Sequence, residues 1–318
     1  MYELKGKRVW VAGHKGMLGS ALMRRLASEG CVLLTSTGVD LRDQEEVLRW
    51  MWKVEPQAVF LAAGTVGGIV ANDSRPGDFI YDNLMIGANV IHAAYQCGIE
   101  KLLYVGSSCI YPRDAHQPIT EDALLTGPLE PTNQWYAIAK IAGVKLAQAY
   151  RLQYGCDFIS AMPTNLYGPG DNFDLEIGHV IPALIRKAHE AKACNGMMSV
   201  WGSGKPRREF LHVDDCADAL VFLMRNYSDL EPINVGYGGD ISIEALAVMI
   251  CETVGCLNGI FFDHSKPDGS PRKLLNSNRL SGMGWNPTVS LMEGIASTCQ
   301  WALEHEPWTT PILSPVPQ

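Results

Sequence analysis

The chain has little that would tie it to a polyanion or a bilayer. Its 318 residues carry a formal net charge of −8, and no Lys/Arg block offsets that balance, which argues against a general nucleic-acid or membrane-surface binder. Any polyanion it holds is expected to be small and held locally. No apolar run approaches the ~20 residues that span a bilayer, so no membrane association is expected. Among the nine cysteines no clustered Cys/His spacing points to zinc, and no metal site is expected. Their odd number, with an N-terminal Met1-Tyr2-Glu3-Leu4-Lys5 that lacks the apolar core of a secretion signal, sets the expectation of reduced thiols in the cytoplasm. Internal repeats and low-complexity segments are missing too. What remains is a chain long enough for one sizeable domain, or a large and a small one.

Lys7 to Ala12 reads as a short buried strand, Gly13-His14-Lys15-Gly16-Met17-Leu18-Gly19 follows at once, and Met17 to Gly30 has helical periodicity. In a strand-turn-helix unit such glycines provide a tight turn, close backbone approach to a pyrophosphate and close helix packing, so this run is read as dinucleotide-binding. Their G-x-x-G-x-x-G spacing departs from the usual dehydrogenase pattern. The second strand, Val32-Leu33-Leu34, ends in Thr35-Ser36-Thr37-Gly38. No carboxylate stands there to repel a 2′-phosphate, and Lys15 lies in the glycine loop, so NADP(H) is favoured over NAD. Asp40 and Leu41 are placed against the adenine.

The strand Ala58 to Gly64 ends in Ala62, Ala63 and Gly64, small residues suited to backbone passing a cofactor, and Gly67-Gly68-Ile69 extends that loop. A helix from about Asn83 to Gln96 and a strand from Lys101 to Gly106 keep the alternation going. These features define an α/β fold with a doubly wound parallel sheet. The last strand delivers Ser107, Ser108 and Cys109 at its carboxyl end, where such sheets bind ligands. Beyond it, Tyr136 and Lys140 sit four apart among helix formers and share one helical face. A phenol with pKa ~10 is a poor acid at neutral pH; an ammonium one turn away stabilises the phenolate. Tyr136 is thus a candidate proton donor, with Ser107 hydrogen-bonding a substrate carbonyl.

After Ala161-Met162-Pro163-Thr164-Asn165-Leu166-Tyr167-Gly168-Pro169-Gly170 the alternation loosens. The expected division is a Rossmann domain over 1–170 with 205–240, and a smaller C-terminal α/β substrate domain over 171–204 with 241–318. Phe210 to Asp215 opens an amphipathic helix ending near Arg225, Ile233 to Gly236 is a further strand, and both are expected to rejoin the first domain. The Pro-rich tail, Thr310 to Gln318, is expected to be loosely ordered.

With these motifs in view the chain resembles the extended short-chain dehydrogenases/reductases over nearly its whole length. The resemblance rests on GHKGMLGSA, LAAGTVGGIVAN, VGSSCIYP, LEPTNQWYAIAKIAG, MPTNLYGPGDNF, HVIPALIRKAHEA, VWGSGKPRREFLHVDD and SKPDGSPRKLL. It narrows to the branch that converts GDP-4-keto-6-deoxy-D-mannose to GDP-L-fucose, inverting C3 and C5 and then reducing the C4 ketone with NADPH. By matching motif, it implies Ser107, Tyr136 and Lys140 as the reduction triad and Cys109 and His179 as the acid/base pair of epimerisation. It places Gly106, Ser107, Ser108, Lys140, Pro163, Thr164, Asn165, Leu166 and His179 with the cofactor. It assigns Lys187, Trp201, Arg208 and Asp268 to a GDP-sugar, and implies a homodimer. Read alone, a free Cys is more often a small core hydrophobe and a lone His more often structural. Trp201 equally fills core, and Asp268 in Lys266-Pro267-Asp268-Gly269 equally makes a turn.

Departures from the family pattern are specific. The arginine expected for the cofactor phosphate falls in Thr35 to Gly38, Lys15 replaces a second arginine, and Asn276 stands where Asp is expected. A nucleotide-sugar 4,6-dehydratase carries adjacent Asp and Glu where this chain has Ser108 and Cys109, so it lacks the acid pair for water elimination. A 4-epimerase and a synthase of a related 3,6-dideoxy GDP-sugar share more of the site. A non-catalytic NADP-binding redox sensor would need the glycine loop alone, and the retained Ser107, Tyr136 and Lys140 speak against it.

Overall fold

Alternation of buried strands with helices runs through the first half of the computed structural model, which describes residues 1–266 and 268–308. Strand β1 (Arg8–Ala12) leads into helix α1 (Met17–Leu26), followed by β2 (Val32–Leu34), α2 (Gln44–Val54), β3 (Ala58–Leu61), α3 (Ile69–Ser74), α4 (Pro76–Gln96), β4 (Lys101–Val105), α5 (Gln134–Tyr154) and β5 (Phe158–Pro163). The second half comprises β6 (Asn165–Tyr167), α6 (Val180–Ala193), β7 (Met198–Trp201), β8 (Arg207–His212), α7 (Val213–Asn226), β9 (Ile233–Val235), β10 (Asp240–Ser242), α8 (Ile243–Val254), β11 (Ile260–Asp263), β12 (Arg272–Lys273), α9 (Asn278–Gly282) and α10 (Leu291–His305).

A six-stranded sheet in the order β2-β1-β3-β4-β5-β9 carries the fold, and each of its pairings is parallel. β3, β4 and β5 are buried along their whole length, which is why they read as continuous apolar runs rather than alternating ones. One apolar cluster packs α1 and α7 on one face; a second packs α2, α4 and α5 on the other. Strand order reverses between β1 and β3, and that is where a doubly wound sheet opens a ligand crevice.

Beside the large sheet, β8 pairs with β6, β10 and β12, and β7 pairs with β11. Helices α6, α8 and α10 cover a third apolar cluster here, including Ile185, Leu246, Ile250 and Ile295. Helix α7 packs in the α1 cluster, and β9 bonds to β5.

Several boundaries differ from the sequence reading. The first helix stops at Leu26, because the Ala27 and Glu29 amides turn back to carbonyls only three residues earlier. α4 starts at Pro76, seven residues before the expected start, and Pro at the first helical position needs no amide partner. Ile69, expected in the loop after Gly68, instead opens α3. The Pro-rich tail from Thr310 lies outside the described residues.

Small residues set the depth of α5. Ala137, Ala139, Gly143 and Ala147 are buried along it, and a Cβ at Gly143 would overlap the ring of Tyr104 on β4. Close approach of α5 to the sheet brings Tyr136 and Lys140 to the carboxyl end of β4.

Candidate active site

A cavity of about 520 Å³ opens at the crevice between β1 and β3. Gly13, Gly16, Met17, Leu18 and Gly19 line one side. Ala62, Ala63 and Gly64 line the next, followed by Gly106 to Cys109 and by Pro163 to Leu166. Gly13 has φ +91°, and a Cβ there would stand 2.7 Å from the Ala63 amide nitrogen, so the turn requires glycine on both counts. Helix α1 begins at Met17, and Gly16 before it supplies no side-chain cap. Its first-turn amides are therefore available to an anion, and the helix dipole favours one there. A long, largely apolar crevice ending at an uncapped helix N-terminus fits a dinucleotide.

Four residues expected at the cofactor do not line this cavity. His14 faces Thr37, Nε2 to Oγ1 3.3 Å, and its pKa is lowered by burial and by Lys15. Asp40 is taken up by Arg42, which reaches its carboxylate at 2.8 Å and also bonds Asp82 at 3.2 Å. Leu41 packs into the α2/α4/α5 cluster. Lys15 is exposed in the loop.

Lys140 is 4 % exposed, and its Nζ donates to the Val105 carbonyl at 3.0 Å. Burial pushes it down to about 8, so it remains mostly cationic at neutral pH. The expected ammonium control of the Tyr136 phenol takes a different form. Lys140 lies over the rings of Tyr104 and Tyr136, 5.1 and 5.7 Å from their centroids. Burial raises the Tyr136 phenol, Cys109 adds to the rise, and a hydrogen bond to Ser107 opposes it. Tyr136 is therefore held protonated, the form from which it can donate.

Cys109 follows Ser107, whose Oγ accepts from the Cys109 amide at 3.2 Å. Two donors converge on the sulfur: Asn133 Nδ2 at 3.4 Å and Lys273 Nζ at 3.7 Å. His179, which lines the same cavity, stands at the start of α6, Nδ1 3.7 Å from Asp171 Oδ1. The ring is surrounded by protein yet opens on the cavity, leaving 44 % of its side chain accessible. Burial pulls the imidazole down, and the nearby Asp171 carboxylate more than offsets this, so its pKa is raised. The other Asp171 oxygen, Oδ2, is buried without a partner. Cys109, Asn133, Asn165, Leu166 and His179 border both this cavity and a second one of about 280 Å³.

The second cavity collects all four residues expected at the sugar nucleotide: Lys187, Trp201, Arg208 and Asp268. Lys187 and Lys266 lie over the Trp201 ring at 4.7 and 5.1 Å. Asp268 accepts from the Ser203 amide at 2.6 Å and hydroxyl at 2.7 Å, so it also fixes the turn after Trp201. Burial lowers the Arg208 pKa, with Cys109, Glu130 and Asp268 opposing. Sequence reasoning passed over Asn133, Lys266 and Lys273, although each falls inside a motif already noted. It also passed over Asp171, whose only signal was its place in MPTNLYGPGDNF.

This sheet, crevice and Ser-Tyr-Lys set define a nucleotide-dependent oxidoreductase or epimerase, and the chain belongs to the NAD dependent epimerase/dehydratase family, which matches residues 9–236. Among its relatives, a GDP-L-fucose synthase of Sinorhizobium fredii is 62% identical over 94% of this chain and 96% of its own length. A GDP-L-colitose synthase of Yersinia pseudotuberculosis is 36% identical over 94% of this chain and 99% of its own. A GDP-L-fucose synthetase from Naegleria fowleri, solved with NADP bound, has a TM-score of 0.86 at 30% identity, covering 95% of each chain.

Proposed function

We propose that this protein converts GDP-4-keto-6-deoxy-D-mannose to GDP-L-fucose, epimerising C3 and C5 and then reducing the C4 ketone with NADPH. The observation that carries the reading is the meeting of the two cavities at Cys109 and His179. A sugar held by its nucleotide in the smaller cavity thereby reaches the Ser107-Tyr136-Lys140 set of the larger. Identity of 62% to a GDP-L-fucose synthase, against 36% to a GDP-L-colitose synthase, favours the 6-deoxy over the 3,6-dideoxy sugar.

In this reading Lys187, Trp201, Arg208 and Asp268 hold the GDP moiety, by cations at the diphosphate, apolar or stacking contact at the indole, and a carboxylate for hydroxyls or guanine nitrogens. Ser107 and Tyr136 donate to the C4 oxygen, where charge develops when a proton leaves C3 or C5. Cys109 takes that proton on one face and His179 returns one on the other. NADPH, bound along the glycine loop, supplies the hydride for C4. Tyr136 then gives its proton to the C4 oxygen, with Ser107 as the second hydrogen-bond partner and Lys140 as the adjacent cation.

The unit 1–170 with 205–240 is taken as the cofactor domain and 171–204 with 241–318 as the sugar-nucleotide domain. The third apolar cluster, built mainly from 167–200 and 241–308, supports the division. β8 bonds to the small sheet and so carries the chain between the two. A homodimer through α4 and α5 is supported by Tyr81, Tyr95, Ile138, Leu152 and Tyr154, all exposed on these helices, with Tyr95 stacked on Tyr154 at 4.2 Å. A cytoplasmic location fits cysteines that are all free among the described residues. No helix there is long and apolar enough to cross a membrane. The test is incubation with GDP-4-keto-6-deoxy-D-mannose and NADPH, following nicotinamide oxidation and identifying the sugar. Reduction without inversion at C3 and C5 would refute the assignment.

A further inference from the structure

We propose that Glu130 is a specificity-determining residue: its carboxylate accepts the C3 hydroxyl of the hexose and so selects a sugar that carries this hydroxyl over its 3-deoxy analogue. The proposal deepens the function proposed above and rests on it. Three carboxylates line the smaller cavity, Glu130, Glu176 and Asp268, and their surroundings differ. Glu176 is exposed. Asp268 is taken up by the amide and hydroxyl of Ser203, two residues after Trp201. The Glu130 side chain is 15 % accessible. Its Oε2 accepts from Ser270 Oγ at 2.8 Å and lies 3.6 Å from Arg113 Nε. Among the described residues its Oε1 has the Thr132 hydroxyl alone, at 3.4 Å. A carboxylate offers about four lone-pair sites, so Glu130 keeps acceptor capacity in a cavity that takes a sugar.

Position decides which hydroxyl it takes. The Asn133 amide donates to the Glu130 carbonyl at 3.0 Å, closing the turn Pro131–Asn133 that leads into α5 at Gln134. Asn133 borders both cavities, and its Nδ2 reaches the Cys109 sulfur at 3.4 Å. Glu130 is thereby tied to the end of the smaller cavity that meets the larger one, and in the proposed function that end takes the hexose. A carboxylate beside the diphosphate would repel it, whereas beside an uncharged ring it is a strong acceptor for a hydroxyl. The 4-keto-6-deoxy sugar carries hydroxyls at C2 and C3. With the C4 oxygen at Ser107 and Tyr136 and the exchanging carbon at Cys109, the hydroxyl on that carbon, C3, is the one brought to Glu130. A sugar without it leaves a partly buried acceptor unpaired, which penalises the analogue beyond the loss of one contact.

The experiment measures kcat/KM for NADPH oxidation with GDP-4-keto-6-deoxy-D-mannose and with its 3-deoxy analogue, in the parent, Glu130→Ala and Glu130→Gln. The parent is expected to prefer the 6-deoxy sugar at least about tenfold, and Glu130→Ala to remove most of that preference by slowing the 6-deoxy sugar while sparing the analogue. Glu130→Gln keeps a neutral acceptor oxygen and is expected to keep part of the preference. GDP affinity, read by calorimetry, is expected to be the same in all three. Equal losses on both sugars in Glu130→Ala, or a parent without preference, would overturn the proposal and leave Glu130 as a brace for Ser270 and Arg113. Where Glu130→Ala fails to fold, Glu130→Gln carries the test, and an undiminished preference in it would overturn the proposal. Parent turnover of the 6-deoxy sugar keeps the substrate reading intact in each of these cases. A parent that consumes neither sugar overturns that reading, and the role of Glu130 with it.

Discussion

Replacing Asp171 by Asn isolates the electrostatic support of His179 while leaving shape nearly unchanged. The carboxylate oxygen stands 3.7 Å from Nδ1; at an effective dielectric of ~20 a charge pair at that distance interacts by roughly 4 kcal/mol. His179 keeps 44 % of its side chain accessible, so screening reduces the net effect to about 1 kcal/mol, roughly a fivefold change in the protonated fraction. The sign follows from the causes. Burial lowers the imidazole and Asp171 raises it above 6.5, and without the carboxylate only the lowering remains. As an acid, His179 works while protonated. Inversion in the parent is therefore retained up to a pH above 6.5 and lost as pH rises through the raised value. In Asp171→Asn that alkaline limb moves to lower pH. Stability follows the same window: the His179-Asp171 pair contributes fully below pH ~6.5 and its contribution disappears above the folded-state pKa. The assay is the pH profile of kcat/KM for epimerisation, read as C3 and C5 inversion by NMR in Tyr136→Phe, where reduction is blocked. An alkaline limb that stays put in Asp171→Asn would show that His179 does not depend on Asp171.

Tyr136→Phe is expected to lose hydride transfer by ~10²–10⁴-fold while NADPH affinity changes little, because Lys140 and the glycine loop are untouched; an active variant would move the proton donor elsewhere. Lys15→Ala is expected to weaken NADPH more than NADH, since only NADPH carries the 2′-phosphate; equal losses by fluorescence titration would remove Lys15 from that role. Sedimentation at micromolar concentration is expected to show a dimer, and Tyr95→Glu with Tyr154→Glu to shift it toward monomer; a monomeric parent would refute the α4/α5 interface.

Local periodicity carried most of the fold. β1, the glycine turn and α1 are contiguous, so strand, turn and cap chemistry were legible within 20 residues, and the four-residue spacing of Tyr136 and Lys140 put both on one face of α5. What sequence could not show are contacts made over long separations. Lys273 meets Cys109 across 164 positions, and only the parallel register of β12 on β8 brings it there. Asp171 lies eight residues before His179, but the loop between them has no period from which their meeting could be read. The partner of Asp40 was hidden for a related reason. A carboxylate near the adenine is plausible from position, yet Arg42, two residues on, bonds it from both backbone and side chain.

An acidic chain that binds a diphosphate presents an electrostatic question that the geometry answers. The net charge of −8 is spread over a surface whose charges are screened beyond ~8 Å at physiological salt. At the smaller cavity cations and carboxylates stand together: Lys187, Arg208 and Lys273 share the lining with Glu130, Glu176 and Asp268, Lys187 lies over Trp201, and Arg208 and Lys273 are in register on adjoining strands. Partial burial lowers the pKa of Lys187 and Arg208, so each gains when an anion arrives and its own charge is stabilised. A long polyanion would have to lie along the acidic remainder.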